Sequence, residues 1–165
     1  MTITLPVPIE FRLPEGWRAA PADQVGAQGV AFIALHPLPD AGFTANITID
    51  GEHRPDAATL SDIADESVRR LREVAESVTV TDRRDIGPPA SPGLTQKLAF
   101  MAVAGGVRRD LIQSHVYLSM LDVDDPHQRA VIRLVLTAAA TQHDAVLGDF
   151  QDFLRTVRPD TAAQS

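Results

Sequence analysis

The chain has no cysteine, and it has a single lysine, Lys97, against fourteen arginines. Without cysteine there is no disulfide, no thiol nucleophile, no cysteine-zinc cluster and no lipobox for acylation. No apolar run approaches the ~20 residues that a membrane helix needs, so membrane insertion is not expected. Residues 1–11 have neither a basic start nor a continuous apolar stretch, and no signal peptide is read there. Positive charge is in short supply too. The formal net charge is −7, whereas a nucleic-acid partner calls for clustered cations over its phosphates. Arg69–Arg70, Arg83–Arg84 and Arg108–Arg109 each stand among acidic or apolar residues and read as solvated faces. With 165 residues, 44% of them hydrophobic, the chain suits one soluble domain with a proper core. The expected compartment is the cytoplasm.

What is present has a readable order. Residues 9–13 alternate and run into Pro14-Glu15-Gly16, a turn followed by the only tryptophan, Trp17. Residues 29–36 form a short apolar run bounded by turn signals, read as a buried strand. Residues 43–50 alternate strictly, with Phe43, Ala45, Ile47 and Ile49 on one face and polar residues on the other, as a half-buried strand requires. From Leu60 the period changes. Leu60, Ile63, Ala64, Val68, Leu71, Val74 and Ala75 recur at three and four residues, which is one stripe of a helix. Thr59 with Asp62 marks its start as a capping pair.

Alternation returns in residues 77–87, and a proline-rich loop follows, since prolines cannot feed a sheet ladder. Residues 94–103 and 107–121 read as strands joined at Ala104–Gly106, and residues 129–138 as the last strand. Thr141 with Asp144 repeats the cap spacing. Val146, Phe150, Phe153, Leu154 and Val157 then give a C-terminal helix stopped by Pro159. Residues 160–165 read as a disordered tail. The strands 94–103 and 129–138 are apolar on both faces, so they belong inside a sheet covered on both sides. The expectation is an α+β, three-layer α/β/α sandwich. Its sheet is mostly antiparallel with six to seven strands, one long helix between strands 3 and 4, and a C-terminal helix.

This order, with the stretches FRLPEGW (11–17), F-x-x-N-I-T-I (43–49), TLSDIADESVRRL (59–71), GGVRRDLIQSHVYL (105–118) and F-x-x-F-L-x-T-V-R-P (150–159), resembles the PsbP-like superfamily. That group includes the photosystem subunit PsbP, a Ran-binding nuclear import factor and bacterial proteins of the DcrB type. The resemblance covers nearly the whole chain and implies a single PsbP-like domain over residues 1–159. It also implies a binding or assembly role, since such proteins share no catalytic site.

No reactive motif contradicts that expectation. Asp122, Asp124 and Asp125 lack the following glycine and distal glutamate of a calcium loop. The five histidines form no metal-binding pair, so no metal and no cofactor are expected. There is no G-x-S-x-G elbow, and Ser67 and Ser114 have no local activating arrangement. The polar residues that stand out are Gln113, His115 and Tyr117, which share one face of their strand, opposite Ile112, Val116, Leu118 and Met120. Asn46 and Arg133 fall on the same side. Together they outline a candidate ligand groove beside the C-terminal helix, the alternative being a hydrogen-bonded polar sheet face. Four residues read as structural. Gly16 serves the turn, Trp17 plugs the core and needs an acceptor for its indole N–H, and Thr59 and Thr141 open the helices. The functional expectation is a non-enzymatic protein-interaction or assembly module with a protein partner not identified by the sequence. The alternative is a small-molecule or lipid-binding domain using the polar face. An exposed apolar strip on an edge strand would favour a homodimer.

Overall fold

The computed structural model describes residues 9–20, 31–39, 43–54, 56, 58–87, 92–104, 106–121 and 129–159. The acidic turn at 122–128, the prolines at 88 and 89 and the tail at 160–165 lie outside them. Seven segments build one sheet: β2 (Arg18–Ala20), β3 (Phe32–Leu35), β4 (Asn46–His53), β5 (Glu76–Ile86), β6 (Gly93–Ala104), β7 (Val107–Leu121) and β8 (Arg129–Ala139). Their order is β2-β3-β4-β8-β7-β6-β5, and every neighbouring pair is antiparallel. The strand that is apolar on both faces, β8, lies in the middle of the seven, where both faces can be covered.

Two helices supply the cover. In α1 (Leu60–Val74) the buried residues Leu60, Ile63, Ala64, Ser67 and Val68 follow the helical period. Its first turn is closed reciprocally: Asp62 N–H donates to Thr59 Oγ1 and Thr59 N–H donates to Asp62 Oδ2, both at 3.0 Å. Below it lie Leu94, Leu98, Phe100, Leu111, Tyr117 and Val131. The second helix, α2 (His143–Thr156), sets Val146, Phe150 and Phe153 against Ile47, Ile49, Val116, Ile132, Leu134 and Leu136 on the opposite face. Tyr117 and Val116 are adjacent in β7 yet belong to different cores, which is how a strand's period of two divides three layers.

Three details differ from the sequence reading. The short strand Arg18–Ala20 takes the first place in the sheet in place of residues 9–13, so α1 still follows the sheet's third strand, β4. The segment expected as a strand over 9–13 pairs only at β1 (Ile9–Glu10), with β9 (Arg158–Pro159), in a separate two-stranded ladder. Its apolar residues pack against the core shared by α2 and the sheet instead of adding a strand to the sheet. Phe11 meets Phe32 and Phe153 with ring centroids 5.0 and 5.5 Å apart, and Arg12 N–H donates to Thr156 Oγ1 at 2.8 Å. Finally, the N-cap of α2 is Gln142, not Thr141. A turn over 140–142 carries the chain one residue further, so Gln142 C=O accepts from Ala145 and Val146, and Asp144 falls out of the capping register.

Pro14–Trp17 is a closed turn, with Trp17 N–H donating to Pro14 C=O at 3.2 Å and Gly16 at φ +86°. A positive φ at the third position is the requirement of a type II turn, which glycine meets without strain. The turn delivers Trp17 into the α2-side core, 6% exposed, where its indole N–H donates to Asp149 Oδ2 at 3.0 Å.

Candidate functional site

The α1 face of the sheet carries a chain of buried polar groups. His115 Nε2 lies 2.7 Å from Gln113 Oε1, and Gln113 Nε2 donates to Thr137 Oγ1 at 3.2 Å. His115 Nδ1 lies 3.0 Å from the Tyr117 hydroxyl and 3.3 Å from Gln96 Nε2. Gln96 Nε2 also donates to the Ala64 carbonyl of α1 at 3.3 Å. Gln96 Oε1 accepts from Arg83 at 2.7 and 3.1 Å, and Arg83 reaches Asp65 of α1 at 2.7 Å. His115 is only 2% exposed. Burial, with the Arg133 charge as a smaller contribution, pushes its imidazole down to about 3, so the ring is neutral at physiological pH. A neutral ring has one N–H. Donation from Nε2 to Gln113 leaves Nδ1 to accept from the Tyr117 hydroxyl, whose oxygen in turn accepts from Gln96 Nε2.

The structure therefore brings Gln113, His115 and Tyr117 together, and places Arg133 opposite Tyr117 in the β7–β8 ladder. Arg133 donates to Asp50 Oδ2 at 2.7 and 3.1 Å and to Ser67 Oγ of α1 at 3.1 Å. Asn46 shares the face but not the chain, for its amide donates to the Thr44 carbonyl at 3.3 Å. These side chains lie beneath α1, on the far side of the sheet from the C-terminal helix. The groove beside that helix is lined from the other side of the same strand.

That groove encloses about 590 Å³. It exists because α2 covers only part of its face. Along β6, Leu94, Gln96, Leu98 and Phe100 are buried under α1, while Thr95, Lys97, Ala99 and Met101 are only half-buried and Val103 is 71% exposed. Thr95, Lys97, Ser114 and Val116 form the groove floor, and Leu147, Phe150 and Leu154 of α2 form its apolar wall. Ser114 Oγ lies 2.9 Å from His143 Nε2, which fastens the first turn of α2 to β7. His143 is fully buried, and its Nδ1 has no hydrogen-bond partner among the described residues. Burial first, and the Lys97 charge, hold its imidazole below the ordinary value against the pull of Asp144. Asp144 Oδ1 stands 3.6 Å from Nδ1, beyond hydrogen-bond reach, so Ser114 and His143 are not extended into an oriented relay.

Asp82 lies opposite Lys97 in the β5–β6 ladder, but its carboxylate accepts from Arg84 Nε at 3.1 Å. Among the described residues no carboxylate pairs with Lys97. Arg84 and Asp82 line the groove together with Lys97, so its charged lining, two cations and one carboxylate, is net positive by one.

No family model matches the sequence, and no curated protein is similar to it in sequence. Solved structures are similar in shape. LpqN of Mycobacterium tuberculosis, described as involved in cell envelope biogenesis, superposes with a TM-score of 0.62 at 12% identity, over 93% of this chain and 86% of that one. Cyanobacterial PsbP from Synechocystis gives 0.59 at 17% identity, over 92% and 86%. PA94 of Pseudomonas aeruginosa, a protein of unknown function, gives 0.57 at 17% identity, over 78% and 81%. The chain has the PsbP-like fold. At these identities the likeness shows the fold alone, and the PsbP-like architecture carries no reaction with it. No helix among the described residues is long and apolar enough to cross a membrane.

Sequence reasoning missed three residues that matter to these two faces. Gln96 had a signal, being polar at a position where Leu94, Leu98 and Phe100 mark the core face. Lys97 had one as the only lysine. His143 had none, because its partner Ser114 is 29 residues away and only the fold brings them together.

Proposed function

We propose that this PsbP-like chain is a non-enzymatic accessory module that docks a protein partner on the part of the sheet that α2 leaves open. The observation that carries the reading is the uneven cover of β6. One face is sealed under α1, while the other presents Ala99, Met101 and Val103 in succession with no helix above them among the described residues. Val74, at the end of α1 and 78% exposed, borders the same tip, where a cleft of about 210 Å³ opens between Glu76, Met101 and Arg108. Contiguous apolar surface left in water is unfavourable unless a partner removes it, by about 25 cal/mol per Å². The buried chain around His115 serves a different end in this reading, holding α1 on the sheet. The incomplete relay at Ser114 favours binding over catalysis.

The test is affinity purification of the full chain from its native host, in parallel with Met101→Glu/Val103→Glu. The wild type is expected to retain a defined partner that the variant loses at least tenfold while its melting temperature stays unchanged. Equal recovery on both chains, or no partner on the wild type, overturns the reading.

A further inference from the structure

The geometry points to a second binding site, for a small organic carboxylate with an apolar body, in the groove beside α2. The inference does not depend on the partner surface at the tip of β6, since it rests on the opposite end of the strand. Lys97 lines the floor, half-buried, beside Arg84 and Asp82, whose own ion pair leaves the lining net positive by one. An ammonium group in a partly desolvated groove attracts an anion more strongly than one in bulk water. Beside it, across the β6–β7 ladder, stands the half-buried Ser114 hydroxyl, which keeps hydrogen-bonding capacity beyond its single bond to His143. The wall above is apolar over two turns of α2, at Leu147, Phe150 and Leu154. A cation at the floor and a hydrocarbon wall along one side match a molecule charged at one end only. A volume of about 590 Å³ is within the ~300–1,000 Å³ of small-ligand sites, which favours a free amphiphile over a folded partner.

Calorimetric titration of the full chain with octanoate, and separately with octanol, tests this. Octanoate is expected to bind, and octanol to bind at least tenfold more weakly because it brings no charge to Lys97. Lys97→Gln, a substitution at a half-buried position that leaves the fold intact by circular dichroism, is expected to weaken octanoate at least tenfold and leave octanol unchanged. Amide shift changes on adding octanoate are expected at Lys97, Ser114, Leu147 and Leu154. Absence of octanoate binding at millimolar concentration overturns the inference. So does equal affinity for the two probes, an unaltered affinity in Lys97→Gln, or shift changes confined to the tip around Val103.

Discussion

The two faces of β6 and β7 solve the same problem in opposite ways. Under α1, polar groups are buried and paired: Gln96, His115, Tyr117 and Gln113 exchange hydrogen bonds with one another and with a carbonyl of the helix. Beside α2, the neighbouring residues on the same strands, Lys97 and Ser114, are left at a groove that the helix does not fill. Buried polar groups are costly to leave unpaired and contribute little net stability when paired, so a satisfied network chiefly fixes which surfaces fit together. A half-covered charge costs less to hold and stays available to a ligand. In this fold the sealed face sets the architecture, and the open face is the one to which both proposed binding sites are assigned.

The comparison breaks first if the α2-side core is weak. Trp17 bridges the turn at Gly16 to α2 through Asp149, and Trp17→Ala is expected to cost about 3–5 kcal/mol in denaturant unfolding, the range for truncating a buried aromatic. A loss of about 0.5 kcal/mol or less would show that this core does not depend on the tryptophan.

A smaller effect sharpens the contrast. His115 has a folded value of about 3, below its unfolded 6.5. Above pH 6.5 both states are neutral and nothing is lost. As pH falls below 6.5 the unfolded chain takes up a proton that the folded chain refuses, so stability declines toward pH 3, by up to about 1.4 kcal/mol per pH unit. Urea unfolding from pH 7 to pH 5 is expected to show this fall, and His115→Gln to reduce its slope. An unchanged slope in the variant would mean that His115 is not buried in neutral form.

Much of the fold was legible in the sequence because period-two and helical patterns report which side chains share a face. Strict alternation over 43–50, the two-faced apolar strand at 129–138 and the Leu60–Ala75 stripe carried the sheet and α1. The segment 94–103, also apolar on both faces, is covered on one face only, because it lies next to the edge of the sheet beyond the reach of α2. The same patterns do not say which helix covers which face. For that reason the pattern of residues 107–121 is compatible with His115 beside the C-terminal helix, and only the fold shows that α1 lies over it. Nor do they register pairs closed by topology, such as Ser114 with His143, or a three-residue strand such as Arg18–Ala20, which is too short to alternate. The cap at Thr141 failed for a local reason, since the spacing to Asp144 was right but the turn before the helix ran one residue longer.

The central claim is that one face of β6 belongs to the core and the other is free, and adjacent residues on that strand test it most directly. Leu98 is fully buried and Ala99 half-buried. Thermal unfolding of Ala99→Glu is expected to stay within about 0.5 kcal/mol of the wild type, as surface substitutions do. Leu98→Glu, which buries an unpaired carboxylate, is expected to abolish cooperative folding. A loss of several kcal/mol in Ala99→Glu, comparable to its neighbour, would contradict the account, for it would mean that the face beside α2 is as closed as the face under α1.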